Sequence, residues 1–208
     1  MKYSRRSIKI VAVMLVCILT ALAQVPGNLK HFDNSGLSFD YPNGWTLDDH
    51  SSSDAQQLTL SRNDSVAQIT LFAHRGTVDT PEKVVQAKTK LIDPYIAYMS
   101  RQFEQMGAHP TQSPATLEIG GAQAEGVHIR AVLENEPGEA GIYWLVLNKR
   151  LVVLTIFGPD QAIKQVASAW DTVRNSIRIV GNIPAPRPSP SLQPSPSPSP
   201  RVPTVRSS

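Results

Sequence analysis

The sequence predicts an α+β fold, an α/β/α sandwich built on a central antiparallel sheet. Three observations lead there. Strand-like segments come in pairs joined by tight turn residues, which is how antiparallel strands connect. Two segments, 142–147 and 151–157, are apolar on both faces and so belong at the centre of a covered sheet. Two stretches of helical periodicity each follow a group of strands, and together they supply a layer for each face.

Gly36 to Tyr41 alternates apolar and polar side chains, with Leu37, Phe39 and Tyr41 on one side, and Pro42-Asn43-Gly44 turns the chain. Trp45 follows as a core plug. Leu58-Thr59-Leu60 and Val66 to Phe72 are two further strands, joined through Arg62-Asn63-Asp64. Asp79-Thr80-Pro81-Glu82 starts a helix, with a side-chain cap, an early proline and an acid in the first turn. Val85, Leu91, Ile92, Tyr95, Met99, Phe103 and Met106 make its apolar stripe, and Gly107 closes it. Pro94 lies inside that stripe and cannot donate to Lys90, so a kink or a break is expected there.

Ala115 to Ile119 and Gly126 to Leu133 flank the turn dipeptide Gly120-Gly121. Glu134 to Glu139 reads as a short acidic, solvated hairpin end. Ile142 to Leu147 and Leu151 to Phe157 form an apolar hairpin around the bend Asn148-Lys149-Arg150. Pro159-Asp160 caps the last helix, whose stripe is Ile163, Val166, Trp170, Val173 and Ile177. Trp45, Trp144 and Trp170 all fall on apolar faces and are expected in the core.

The two ends have a different character. Lys2, Arg5, Arg6 and Lys9 precede a charge-free apolar run, Ile10 to Leu22, and Ala21-Leu22-Ala23 offers a small-x-small cleavage site. That run is short of the ~20 residues that span a bilayer. Residues 1–23 are therefore expected to be a cleaved signal peptide, leaving no transmembrane anchor. Ser4-Arg5-Arg6-Ser7 resembles a twin-arginine signal only in part, because Lys9 interrupts it, and general secretion is the expected route. Cleavage removes Cys17, the single cysteine, so no disulfide supports the exported chain. Residues 183–208, rich in Ser-Pro pairs, cannot bury enough apolar surface to offset their ordering entropy and read as a disordered spacer. The globular domain is then 24–182, and the expected location is the periplasm or the extracellular space.

Charge excludes one class of function. The whole chain is +3, but removal of four signal cations takes it to −1. Setting aside the three arginines of the tail leaves 24–182 at about −4. Such a domain has no electrostatic footprint for nucleic acid. Catalytic and metal patterns were sought in turn. None of His31, His50, His74, His109 and His128 has another histidine at metal-ligand spacing, and Asp48-Asp49-His50 runs into a serine-rich loop. No Gly-x-Ser-x-Gly elbow occurs, and Gly120, Gly121 and Gly126 sit between strands rather than before a helix, as a phosphate loop would need. No catalytic, cofactor or metal residue is assigned.

Phe32-Asp33-Asn34-Ser35-Gly36 to Phe39, followed by Tyr41-Pro42-Asn43-Gly44-Trp45, resembles the opening of PsbP-like domains. That superfamily includes the extrinsic photosystem II protein, the Mog-type proteins and the DcrB-like lipoproteins. Leu117 to Gly121 with Ala124, the 142–157 hairpin and the segment from Phe157 to Arg178 continue the likeness. It implies the same α/β/α sandwich and, because the matching positions are core and turn residues, it speaks for fold rather than chemistry. The resemblance implies an exported, non-catalytic accessory or interaction domain, with an envelope or extracellular protein as partner. The alternative is a small-molecule or lipid-binding protein, or a weak hydrolase. Its pocket would lie between the sheet and the kinked helix, beside Tyr95, Tyr98 and Met99.

Overall fold

The computed structural model describes residues 28–133 and 135–180. The expected signal peptide and the Ser-Pro tail lie outside them. Seven strands form the central sheet in the order β3-β4-β5-β9-β8-β7-β6, every neighbouring pair antiparallel. They are β3 (Thr46–Asp49), β4 (Ala55–Arg62), β5 (Ser65–His74), β6 (Thr111–Ile119), β7 (Ala122–Leu133), β8 (Glu136–Leu147) and β9 (Arg150–Pro159). A second, three-stranded sheet joins β1 (Leu29–Asn34), β2 (Leu37–Pro42) and β10 (Arg178–Ile179).

The α+β sandwich class is as the sequence predicts, with the doubly apolar β9 in the middle. Its residues from Leu151 to Ile156 are all buried. Two separate cores result. On one face Leu58, Leu60, Ile69, Leu71, Val152 and Leu154 pack under Leu37 and Phe39 of the small sheet and under two helices, α3 (Asp160–Gln165) and α4 (Ala167–Ser176). On the other, Ile129, Ile142 and Val153 pack under Met99 and Phe103 of α2 (Asp93–Gln105) and under Ile92 just before it. One layer is thus part helix and part sheet. Among the described residues no helix is long and apolar enough to cross a membrane.

The expected break near Pro94 is present, since α1 (Pro81–Ala87) and α2 are separate helices, while several other elements depart from the expectation. Pro94 does not interrupt α2 itself. It sits in the first turn of α2, where its missing N–H is not needed. The irregularity lies one turn earlier, as a π-helical turn Lys88–Ile92 that connects α1 to α2, with Asp93 N–H donating to the Lys88 carbonyl. The stripe also overreaches at both ends: Val85 is 65% exposed and Met106 50%. The last helix is divided at Val166, whose backbone (φ −101°, ψ 5°) leaves the helical region. Glu136 to Glu139 is strand rather than a solvated loop, because Glu139 is held by Arg130 across the β7–β8 pair. Trp45 is buried as expected, and Trp144 and Trp170 are partly buried at the margins of the two cores.

Three glycines are required by the backbone or by a close approach. Gly120 and Gly121 both have positive φ, 60° and 85°, which a two-residue hairpin turn requires. Gly126 is not punctuation at all: it lies inside β7, and a Cβ there would stand 2.4 Å from the Tyr143 ring.

Candidate functional site

The face of the sheet under the helical strand α1–α2 carries two concave regions. The first is a cavity of about 230 Å³ lined by Gln57, Thr70, Phe72, Leu91, Tyr95, Val153 and Thr155. Strand register builds its floor. Gln57, Phe72 and Val153 are paired across β4, β5 and β9, and Thr70 and Thr155 pair in the adjacent row of the same face. Leu91 from the π turn and Tyr95 from α2 form the roof. Of the residues the sequence pointed to, the structure places Tyr95 in this wall. Tyr98 is 49% exposed, and Met99 is buried in the core beneath α2. Burial raises the pKa of the Tyr95 hydroxyl, and the neighbouring Thr155 hydroxyl holds part of that rise back. The volume is below the ~300 Å³ at which drug-sized sites begin.

The second region is an open groove of about 490 Å³ between α1 and strands β7 and β8, with Val84, Val85 and Lys88 facing Trp144, Val146, Leu151 and Glu125. Thr80 caps α1 by accepting from Lys83 N–H, yet the helix buries none of its residues. Val84 and Val85 are 45% and 65% exposed. The Lys88 ammonium sits 5.9 Å from the centre of the Trp144 ring and 2.5 Å from an Asp93 oxygen.

A polar network occupies the opposite face. His128 Nε2 is 2.6 Å from the Tyr143 hydroxyl and His128 Nδ1 is 3.3 Å from Glu139. Arg130 donates to Glu139 and to Asp160, each at 2.6 Å. A hydroxyl, an imidazole and a carboxylate in series is the pattern a hydrolase would use. The chemistry here runs the other way. Burial, with the Glu139 charge beside it, pushes the Tyr143 hydroxyl up to about 12, the reverse of an activated nucleophile. The ring is packed over Gly126 and against Trp170 at 6.0 Å. This network holds β7, β8 and α3 together.

Sequence reasoning missed a further buried group. Arg150, 3% exposed, donates to the carbonyls of His74 (3.0 Å), Ser35 (3.1 Å) and Ala73 (3.3 Å) and to Gln56 Oε1 (2.6 Å). Gln56 in turn donates to the Asn34 carbonyl at 2.8 Å. The pair fastens the β1–β2 turn to the main sheet. A lone arginine after Asn148-Lys149 looks like any turn cation, so composition held no signal for it. Asp48 and Asp49 end β3, with Asp49 accepting from Ser51 N–H just beyond it, and among the described residues no three ligand-type side chains group for a metal.

Neither a protein-family model nor a curated protein matches the sequence. Among solved structures the chain is similar to cyanobacterial PsbP from Synechocystis, at 14% identity over 78% of this chain and 99% of that one, with a TM-score of 0.47. It is also similar to a Bacteroides thetaiotaomicron protein, at 11% identity over 74% of this chain and 48% of that one (TM-score 0.48). A third is LpqN of Mycobacterium tuberculosis, a protein involved in cell envelope biogenesis, at 14% identity over 76% and 87% (TM-score 0.39).

Proposed function

We propose that this chain is an exported, non-catalytic accessory domain of PsbP-like type that works by holding a partner protein in the envelope or outside the cell. The opening motif Phe32 to Trp45 supports the family reading, and the apolar run before Ala23 supports export. The observation that carries the binding role is α1. A helix that touches the core only through Ala87, presents two adjacent valines and overlooks a partly exposed tryptophan gains little for the isolated fold. It is suited to a partner that inserts an apolar anchor between Val84 and Trp144, the geometry in which interface energy concentrates. Lys88 and Glu125 rim the groove, so the matching contact carries an acid and a base on either side of its anchor.

The test is site-specific photo-cross-linking in producing cells. A photoreactive residue at Val85 should give one discrete adduct, and Val84→Asp should abolish it. The same residue at Asn175, exposed on α4 in the opposite layer, should give none. Equal adducts at both positions, or none at Val85, would overturn the reading.

A further inference from the structure

We propose that the cavity beneath Leu91 and Tyr95 is a binding site for a small uncharged ligand, one with an apolar body near the size of a substituted benzene ring and a single hydroxyl or carbonyl. This goes beyond partner binding at α1 and does not depend on it. Size sets the body. An apolar cavity of ~150 Å³ takes up benzene, so the 230 Å³ here admits a ring with a substituent. Phe72, Val153 and Leu91 supply its apolar walls.

The polar inventory sets the head group. Gln57, Thr70, Thr155 and Tyr95 are the polar lining residues, and no Asp, Glu, Lys, Arg or His is among them. Each of the four can both donate and accept. Thr155 and Tyr95 already face one another, while the Gln57 carboxamide and the Thr70 hydroxyl have no partner among the described residues. A ligand hydroxyl or carbonyl is satisfied by that set. Gln57 is exposed at the edge of the site, and a carboxylate or ammonium passing it would give up part of its hydration without meeting a counter-charge.

Backbone geometry supports the same assignment. The π turn Lys88–Ile92 supplies Leu91, which lines the cavity while packing at the margin of the core that holds its fully buried neighbour Ile92. Such turns recur at functional sites.

The experiment titrates the protein, purified without detergent, with benzyl alcohol and separately with benzoate, followed by amide chemical shifts. Benzyl alcohol should saturably shift Thr70, Leu91, Val153 and Thr155, with benzoate at least tenfold weaker. Leu91→Trp, which fills the cavity from its half-buried roof, should weaken benzyl alcohol at least tenfold while signals of Leu37 and Ile177 on the other face stay in place. Thr70→Val keeps the shape and removes one hydrogen bond, so affinity should fall about fivefold. Shifts that do not saturate, that map away from these residues, or that are as strong with benzoate would overturn the proposal.

Discussion

The two faces of the central sheet are finished differently. The face under β2, α3 and α4 is sealed: Leu37, Phe39, Ile69, Leu154, Val173 and Ile177 are each within 1% of full burial. Its polar groups are tied into networks around Arg150 and around Arg130. The face under α1 and α2 is filled only beneath Ile92, Met99 and Phe103. Towards β4 it leaves a cavity, and towards α1 it leaves a groove. One protein therefore carries a face devoted to stability beside a face with apolar surface to spare. That division suits the proposed binding role, since residues 28–180 contain no cysteine and packing alone holds the fold.

The contrast predicts unequal costs for similar truncations. Phe39→Ala on the sealed face should lose about 4 kcal/mol of unfolding free energy, because Phe32 and Tyr41 close around the ring and cannot collapse into the void. Leu91→Ala, on a roof already bordered by empty space, should lose under about 1 kcal/mol. Urea titration of both variants decides it, and equal losses would erase the distinction between the faces. Arg150→Met comes next, at about 3 kcal/mol, since it strands Gln56 Oε1 and three carbonyls without donors. The loss should concentrate at the β1–β2 turn, visible as faster hydrogen exchange there than in β9.

Alkaline pH sharpens the comparison further. The Tyr143 hydroxyl titrates near 12 in the fold and near 10 in the unfolded chain, so the unfolded state releases its proton first. Its contribution to stability is complete below pH 10 and is lost as pH rises through about 12. Two full pKa units would be worth ~2.7 kcal/mol, and water reaching part of the site reduces the expected loss to about 1 kcal/mol. Tyr143→Phe should flatten this fall, measured as denaturation midpoints from pH 9 to 12. An unchanged slope would mean that the sealed face is wetter than its geometry states.

What the sequence made legible follows from the same physics. The 142–157 hairpin could be read because a strand buried on both faces has no polar alternation to hide it. Gly120-Gly121 could be read because the turn needs two positive φ angles. The strand β1 escaped notice because five of its six residues are exposed, and β3 because it is four residues with two aspartates. The start of β8 was hidden by Glu-Pro-Gly-Glu, a loop composition overridden by the Glu139–Arg130 contact. Tyr95 was accessible from helical spacing beside Pro94. Gln57, Thr70 and Thr155 were not, since they meet only through the pairing of β4, β5 and β9, and the latter two strands are separated in sequence by about half of the domain.

The smallest expected effect concerns α1. Val85→Lys replaces an exposed apolar side chain with a charged one on a helix that touches the core only through Ala87, so stability should move by less than about 0.5 kcal/mol. A core residue at that point of the stripe would instead cost several kcal/mol, which makes the variant a direct measure of whether the valines belong to the fold. Thermal unfolding gives the answer in one experiment, read against Phe39→Ala. If Val85→Lys leaves the transition in place but abolishes the adduct formed by a photoreactive residue moved to Val84, the side chain serves the surface alone. If it unfolds the domain, α1 is packed in solution against something the geometry does not show, and the open face is not open.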